Sequence, residues 1–479
     1  SYAVVSPADL VGAGYVIPAT GGQPKRLGSD LSAAADPAWS PDSKHLLVFA
    51  APQHRFVWKE ADWSLVSTDG TPSRPTGDFH ALQQQGFSLG FDRMPRLSEW
   101  SNHSITFAAG FGDTTNIWRA PVSRNGRITG RAERLTSGTA LEISSAGTPT
   151  GELLFASLNR TFAVWSLPAD TDHAKVAGDL KMITAGASDV LPSISTDGRM
   201  LAYTAAHSRS RAGGQLPWLE EAAELQVRTK DLSTGKEAVL SDKAAPLWHP
   251  QISRDGSMIA YNSSKPGSLY VAPVSGESPR RIVDAKNMLP CLFAWDWSLD
   301  ERHLLFNSTD AKVHSVDVQS GREKVLLERP DFGLFQAKFS PNDQAIALVG
   351  CRPYRPGGSE CEIFIVPREN GLPAPADHWI AIDHPSRWDD KPRWSPDGSL
   401  IYFISDRDGY ICLWAQRFDA RAKALIGAAF PVYHFHNARL SMANVDAGIL
   451  EIGVAKDKIV VGLGELTGNI WSMSRKSKY

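Results

Sequence analysis

Two histidines near the C-terminal end of the chain have the type and spacing that metal chemistry requires. His434 and His436 alternate in VYHFHNAR, so an extended strand would place both imidazoles on one face. Two imidazoles on one face can ligate a divalent metal or serve as acid and base. Spacing alone supplies no third ligand, and histidines that pack between neighbouring elements are the structural alternative. A divalent metal at this pair is a hypothesis, and no other cofactor is expected.

The segment SDRDG at 405–409 has the Asp-x-Asp-Gly order of a calcium loop. An EF-hand also needs a bidentate Glu at a fixed offset and flanking helices, and the sequence offers neither. We interpret the segment as a turn whose Asp side chains bond their own backbone.

A second group of polar and aromatic residues shares one position, just ahead of a short segment that runs into a Ser-containing turn. Its members are Asp36, Asp92, Asp189, Trp248, His249, Trp388, Asp389 and Asp390. If those segments are equivalent strands around one axis, the loops before them meet at the mouth of a central channel. A polar, aromatic-edged mouth suits a small molecule, an oligosaccharide or a peptide. The alternative is that each Asp caps its own turn or ties adjacent sheets together.

The elements that must position these residues belong to a repeat. The stretch KPRWSPDGSLIYFISDRDG at 391–409 has relatives throughout the chain, each with a Ser or Thr at the start of a turn. These anchors are Ser40, Ser98, Thr148, Ser195, Ser253, Ser298, Ser340 and Ser395, and a degenerate ninth copy lies near Ala455. Their mean spacing is about 51 residues, the length of one propeller blade.

Each copy has the same internal order. A short strand leads into an Asp-Gly-type turn, and an alternating strand such as LIYFIS or MIAYNS leaves it. An apolar third strand and a short fourth strand follow, as in SLYVAPVSG and PRRIVDA. Alternation with period two between Asp-Gly or Asn-Gly turns predicts antiparallel hairpins, and four such strands form a propeller blade.

We therefore predict a single all-β propeller over residues 1–479, with eight or nine four-stranded blades and nine favoured by the number of anchors. Blades are expected to begin near residues 36, 93, 143, 190, 248, 293, 335, 390 and 448. Residues 1–30 are expected to close the ring, their outer strands pairing with C-terminal inner strands so that no edge stays exposed. Two smaller propellers are the structural alternative.

The pattern D-x-P-x-W-S-P-D-G-x-x-I-Y-F-x-S, read at 390–405, resembles the PD40, or WD40-like, repeat of TolB-type propellers. The resemblance covers essentially the whole chain. The C-terminal run from SLIYFISDRDG to GNIWSMS is similar to the C-terminal propellers of large bacterial proteins, notably acidobacterial ones. There the propeller follows a Ser/Thr protein kinase domain or a winged-helix regulator, which implies an extracytoplasmic sensor or interaction module.

Three functions follow from the pattern and the resemblance. The first is a non-catalytic propeller that binds a small ligand or a protein at the channel mouth. The second is a metal-dependent polysaccharide lyase or hydrolase that uses His434 and His436, since some lyases with PD40 repeats hold a metal through propeller histidines. The third is a TolB-like scaffold for protein partners. The first is favoured, so an enzyme is not the primary expectation.

Charge and hydropathy exclude some partners. The chain has 50 Lys+Arg against 52 Asp+Glu, which leaves no electrostatic case for a nucleic-acid partner. No apolar stretch is long enough for a transmembrane helix, so no membrane insertion is expected. Ser1 has the look of a processed or truncated start. We expect a soluble module on the periplasmic or extracellular side.

Four cysteines are too few for a disulfide-rich scaffold. Cys351 and Cys361 flank RPYRPGGSE, which could join two neighbouring strands and allow a disulfide across a hairpin. Such a bond would favour an oxidising compartment. Cys291 and Cys412 lie in apolar runs and are expected to be buried thiols.

Overall fold

Nearly all of the chain that can be described is β-structure. The computed structural model describes residues 2–5, 12–52, 61–88, 95–112, 114–148, 152–186, 188–206, 225–240, 247–263, 267–284, 293–308, 310–352, 361–382 and 388–474. Four-stranded antiparallel sheets dominate, which confirms the all-β prediction. One short helix, α1 (Asp78–Gln84), interrupts them. Within the described ranges, no helix is long and apolar enough to cross a membrane.

The N-terminal third holds three groups of strands. The first is β1 (Tyr2–Val5), β2 (Gly12–Val16) and β3 (Lys25–Leu27). The second is β4 (Leu31–Trp39), β5 (His45–Pro52), β6 (Asp62–Ser67) and β7 (Arg74–Pro75). The third is β8 (Arg96–Trp100), β9 (Ser104–Phe111), β10 (Thr114–Pro121), β11 (Glu133–Arg134) and β12 (Leu141–Gly147).

A long strand, β13 (Glu152–Asp170), follows with two short partners, β14 (Lys175–Val176) and β15 (Lys181–Met182). Five antiparallel sheets, A to E, come next. Sheet A is β16 (Asp189–Ile194), β17 (Met200–Ala206), β18 (Leu225–Asp231) and β19 (Glu237–Leu240). Sheet B is β20 (Leu247–Ile252), β21 (Met258–Ser263), β22 (Ser268–Pro273) and β23 (Arg280–Val283). Sheet C is β24 (Phe293–Trp297), β25 (His303–Asn307), β26 (Val313–Asp317) and β27 (Glu323–Leu327).

Sheet D is β28 (Gly333–Phe339), β29 (Ala345–Cys351), β30 (Cys361–Glu369), β31 (Leu372–Pro373) and β32 (Ile380–Ala381). Sheet E is β33 (Asp389–Trp394), β34 (Leu400–Ser405), β35 (Cys412–Asp419) and β36 (Ala424–Tyr433). The chain ends in β37 (Leu440–Ser441), β38 (Ile452–Ala455) and β39 (Lys458–Ser474). The sixth sheet, F, is formed by β38, β39, the C-terminal half of β13 and β15.

The innermost strands of sheets A to F contact one another in a closed cycle. The order is β38, β16, β20, β24, β28, β33 and back to β38. Sequence-adjacent sheets are therefore neighbours in space, as in a propeller, and six sheets complete the ring in the described part of the chain.

The ring is closed by strands other than those the sequence suggested. We expected residues 1–30 to pair with the C-terminal strands, but β1, β2 and β3 pair with one another. The C-terminal strand β39 pairs instead with β13, without interruption from Glu152↔Ser474 to Pro168↔Lys458. Val164 of β13 and Val460 of β39 are fully buried against Leu201 of sheet A. The C-terminal strand therefore pairs with a strand from the middle of the chain, and the burial of these apolar side chains stabilises the pairing.

The expectation of eight or nine blades in one ring is corrected by the same pairings. The strands from β1 to β11 lie outside the six-sheet cycle, where β2 contacts β4 and β4 contacts β8. They join it through β12, which pairs with the N-terminal half of β13. Repeats of similar sequence need not all lie around one axis. The ring closes at the sheet that accepts the C-terminal strands, and repeats before that sheet lie outside it.

The repeated serine fixes the first turn of each ring sheet. Its Oγ donates to a side-chain oxygen two residues later, at 2.5–2.8 Å, and accepts from the backbone N–H five residues later, at 2.9–3.0 Å. The serines are Ser195, Ser253, Ser298, Ser340 and Ser395. This pair of hydrogen bonds explains why Ser and Asp recur two positions apart, since both satisfy the turn's own backbone.

The disulfide left open by the sequence is present in sheet D. Cys351 of β29 and Cys361 of β30 are bonded and lie directly opposite each other in the hairpin. Cys412 is a buried free thiol, as expected, whereas Cys291 lies outside the described residues.

Candidate functional site

A polar cavity of about 120 Å³ lies where the innermost strands of all six ring sheets converge. Each of sheets A to F contributes to the lining, and the lining residues include, in that order, Ser193, Gln251, Asp296, Lys338, Arg393 and Gly453. We call this cavity the axial well. Its rim carries Thr196, Arg254, Pro341 and Pro396, which lie at the serine-anchored turns and are exposed or half-buried. The well therefore opens at the turn end of the ring and has a buried polar floor.

A bulge in the innermost strand aims several of these side chains into the well. In sheets A, B, D and E the strand register shifts at a residue with φ of 53–57°, namely Leu191, His249, Gln336 and Lys391. Each of them comes two positions before a well residue. An extra residue in one strand bends it and redirects the side chains that follow. The polar lining thus depends on an irregularity that repeats around the ring.

Arg254 is a structural cation at the rim. Its guanidinium donates to the backbone carbonyls of Ser340 and Pro341, both at 3.1 Å, so it ties sheet B to sheet D. The carboxylates of Asp296 and Asp343 lie 3.8 and 3.6 Å away. The charge of Arg254 is therefore already paired with carboxylates before any ligand arrives.

Arg393 on the floor also has a protein partner. Its Nη2 donates to Glu451 and its Nε donates to the backbone carbonyl of Ile452 at 2.9 Å. Both charged side chains are buried, Arg393 at 9% and Glu451 at 1% side-chain exposure. Burial disfavours the Glu451 carboxylate, but the charges of Arg393 and Lys391 outweigh that and hold its pKa below the usual value.

Lys338 is the floor cation that lacks such a partner. Its Nζ donates to Gln251 Oε1 at 2.8 Å and to the backbone carbonyl of Trp295, both of which are neutral. Among the described residues, no carboxylate lies within 4.0 Å of this ammonium group. Burial, and next the positive charge of Arg393, lower the pKa of Lys338 to about 7. A lysine of this kind sits between its charged and neutral forms near neutral pH.

The residues predicted to surround the channel mouth lie at the end of the ring opposite the axial well. Those that the structure describes there are buried. Asp189 accepts a hydrogen bond from the Gly186 N–H at 2.8 Å, and burial raises its pKa. Asp389 is paired with Arg407 at 3.1 Å. Asp390 lies 3.5 Å from the ammonium of Lys391, and burial raises its pKa. All three carboxylates are thus engaged by the protein itself.

The aromatic members of the predicted mouth pack against neighbours. Trp248 and Trp388 belong to one core cluster that also contains Leu191. His249 lies edge-on to Trp295, with ring centroids 4.9 Å apart, and burial lowers its pKa to about 3. These side chains are packed at the end of the ring opposite the serine-anchored turns, which we call the loop end.

One predicted mouth residue, Asp36, does not reach the ring. Asp36 is the positive-φ residue of the bulge in β4, outside the six-sheet cycle, and burial raises its pKa. Asp92 lies outside the described residues. The predicted circle of eight residues is therefore not gathered at one end of one ring.

His434 and His436 are brought together with two further ligand types. His434 Nδ1 lies 2.9 Å from Asp408 Oδ2, and His436 Nε2 lies 3.2 Å from the same oxygen. Cys412 completes a group of four whose ligand atoms lie within 4.8 Å of one another. Burial raises the pKa of the Cys412 thiol to about 11. The third ligand that spacing did not supply is Asp408, in the turn that we interpreted as purely structural.

Sequence reasoning missed the well residues, although a signal for most of them was present. Gln251, Lys338 and Arg393 each stand two residues before a repeated serine, at a position where a buried strand would ordinarily be apolar. A polar residue at the same place in several copies indicates a shared polar surface. Arg254 stands one residue after the serine, and no comparable pattern indicated its role.

Comparisons with known proteins find distant structural similarity. Searches against protein-family models and curated protein sequences give no match. A putative TolB from Agrobacterium tumefaciens is 16% identical with a TM-score of 0.43, covering 65% of this chain and 99% of that chain. TolB from Acinetobacter baumannii is 13% identical with a TM-score of 0.40, covering 77% and 82%. An oligogalacturonate lyase from Vibrio parahaemolyticus is 10% identical with a TM-score of 0.36, covering 88% and 97%. At this distance the similarity carries no argument about function.

Proposed function

We propose that the protein is a non-catalytic binding propeller whose axial well receives a carboxylate group of its ligand. The observation that carries this proposal is Lys338, a buried ammonium at the floor of a cavity without a carboxylate partner among the described residues. The charges of Asp296 and Glu451 offset only part of the effect of burial on the pKa of Lys338. A buried charge is stable when it is paired, so an incoming carboxylate would supply a direct partner.

The size of the well limits what enters it. The well is small, with a volume of about 120 Å³. A carboxylate with a short substituent would enter this space, and the rest of the ligand would lie on the rim near Arg254 and Thr196. The carboxylate can belong to a small acid, an acidic sugar or the C-terminus of a peptide.

The location of such a propeller in an extracytoplasmic sensor rests on the sequence resemblance and stays a prediction. The Cys351–Cys361 bond supports the oxidising compartment that this prediction needs.

Binding of a carboxylate should be coupled to proton uptake. Because the free protein holds the pKa of Lys338 near 7, a negative charge beside it raises that pKa and recruits a proton at pH 8. Calorimetric titration in two buffers of different ionisation enthalpy measures this uptake directly. The probes are galacturonate, a tripeptide with a free C-terminus and the same tripeptide with a C-terminal amide.

We expect the free acids to bind with uptake approaching one proton at pH 8 and little uptake at pH 6. The amide should not bind through the well. Lys338→Met should abolish the uptake, whereas Lys423→Met, at an exposed lysine paired with Glu369, should leave it unchanged. Binding of the tripeptide acid alone would assign the well to peptide ends, and binding of galacturonate alone would assign it to acidic sugars. Absence of binding by every acid, or equal binding by Lys338→Met, would overturn the proposal.

A further inference from the structure

The cluster formed by Asp408, Cys412, His434 and His436 lies on sheet E, away from the axial well, and the binding function does not use it. Asp408 is in the turn between β34 and β35, and Cys412 is the first residue of β35. The two histidines follow β36 directly. Two stretches of chain, residues 408–412 and 434–436, therefore converge on one point.

The geometry of the cluster matches a tetrahedral metal. The four ligand atoms lie within 4.8 Å of one another, and Asp408 Oδ2 is already 2.9 and 3.2 Å from the two imidazole nitrogens. Zinc bonds of about 2.0–2.3 Å place tetrahedral ligand atoms roughly 3.3–3.8 Å apart. Nearly half of each histidine side chain is accessible to solvent, so both have room to rotate toward that spacing.

The types of the four ligands select the metal. A thiolate, two imidazoles and one carboxylate suit Zn²⁺, whereas Ca²⁺ and Mg²⁺ require sets composed of oxygen. The neighbours also support the ligand atoms. The Phe435 N–H donates to Cys412 Sγ at 3.3 Å, and Tyr410 stacks on His436 with ring centroids 4.1 Å apart. Groups that orient ligands in this way are part of ordinary metal sites.

The position of the cluster indicates its role. The histidines end the outer strand of sheet E and begin the segment that leads through β37 to the ring-closing strands of sheet F. A metal here would join that segment to the β34–β35 turn. Four protein ligands leave no open coordination position, which is typical of structural sites and not of catalytic ones.

We propose that Asp408, Cys412, His434 and His436 form a structural zinc site that fastens the segment closing the ring to the outer edge of sheet E. Because a metal that binds the folded state stabilises it by mass action, zinc should raise the melting temperature. This inference does not depend on the carboxylate function of the axial well.

The first test measures zinc content and melting temperature of untagged protein loaded with zinc and passed through a desalting column. We expect one zinc per chain in the wild type and none in a His434→Ala/His436→Ala variant. The matched control is His173→Ala, since His173 is another exposed histidine 2.9 Å from an aspartate, Asp170. That variant should keep its zinc. Zinc should raise the melting temperature of the wild type and the control but not of the double variant.

The second test requires no substitution and therefore does not depend on whether a variant folds. Replacement of zinc by Co²⁺ should produce the intense visible bands of a tetrahedral site and a thiolate-to-cobalt charge-transfer band in the near ultraviolet. Absence of that band would show that Cys412 is not a ligand and would overturn the proposal. So would a wild-type protein that retains no zinc, or a double variant that retains as much as the wild type.

Discussion

The two ends of the ring are built from the same six innermost strands, yet their environments are opposite. At the turn end, Gln251, Lys338 and Arg393 surround a cavity with polar groups. At the loop end, Trp248 and Trp388 pack into an apolar cluster. In sheets B and E, the bulge at His249 or Lys391 lies between the two environments. A single irregular residue thus separates the part of each strand that stabilises the ring from the part that can meet a ligand.

The comparison indicates where ligand binding and stability are each concentrated. Trp248 and Trp388 are buried at the loop end, so changes to them should affect folding and leave binding at the axial well intact. The turn end holds charges that are costly to bury, so changes there should affect ligand binding and the dependence of stability on pH. The following predictions separate the two ends.

The largest effect is expected for Trp388→Ala at the loop end. Trp388 is 2% exposed, and truncation of a buried aromatic side chain to Ala costs about 4 kcal/mol of unfolding free energy. Urea denaturation measures the loss, and carboxylate binding by the folded fraction should persist. The control is Trp471→Ala, at a tryptophan that is 54% exposed, for which we expect a change within about 0.5 kcal/mol. Equal losses in the two variants would contradict a packed loop end.

Arg393→Met at the turn end should have the next largest effect. The substitution leaves the buried Glu451 carboxylate without its cation, and breaking a buried ion pair from one side costs about 3 kcal/mol. The double variant Arg393→Met/Glu451→Met should recover most of that loss, because neither charge remains. A double variant as unstable as the single one would show that Arg393 acts through its bonds to backbone carbonyls instead.

The ionisation of His249 is expected to contribute least to the free energy of unfolding at pH 7. At that pH the imidazole is neutral in the folded and the unfolded chain. Its pKa is lowered by burial to about 3, against 6.5 in the unfolded chain. Between those values only the unfolded state binds the proton, so stability falls as pH drops from 6.5 toward 3. His249→Asn, chosen because Asn tolerates the positive φ of 53°, should remove that part of the acid slope.

Urea titrations at pH 4, 5, 6 and 7 measure this slope for both proteins. Parallel curves for the wild type and His249→Asn would show that the pKa of His249 is the same in the folded and unfolded states, which would contradict the prediction. Lys338→Met serves as the comparison from the turn end. It should leave the slope between pH 4 and 6 unchanged and instead remove the rise in stability between about pH 7 and pH 10, where only the unfolded lysine binds a proton.

The local structure of the chain could be predicted because short-range interactions decide it. Ser395 and its equivalents form hydrogen bonds with a side-chain oxygen two residues later and a backbone N–H five residues later. Their turns can therefore be predicted from the sequence alone. The alternating strands that follow form hairpins with their sequence neighbours. The histidine pair was visible for the same reason, since alternation places both rings on one face.

The rest of the candidate sites depends on contacts between residues that are distant in sequence. Asp408 lies 26 residues before His434, and nothing in the turn containing it indicates that the outer strand of the same sheet will return to it. The axial well joins residues from Ser193 to Gly453, which only the closed ring brings together. The aspartates expected at a channel mouth lie before the bulges, whereas the residues that line the axial well follow them, and the sequence pattern did not distinguish the two positions.

The sequence by itself determined the repeat, the turns and the antiparallel sheets, since each of these is stabilised within one unit of about 51 residues. The tertiary structure decided how many units form the ring and which strands close it. That choice depends on whether β39 buries Val460 and its neighbours better beside β13 or beside the N-terminal strands. Such a comparison between distant surfaces is settled by packing, and a periodic pattern contains no information about it.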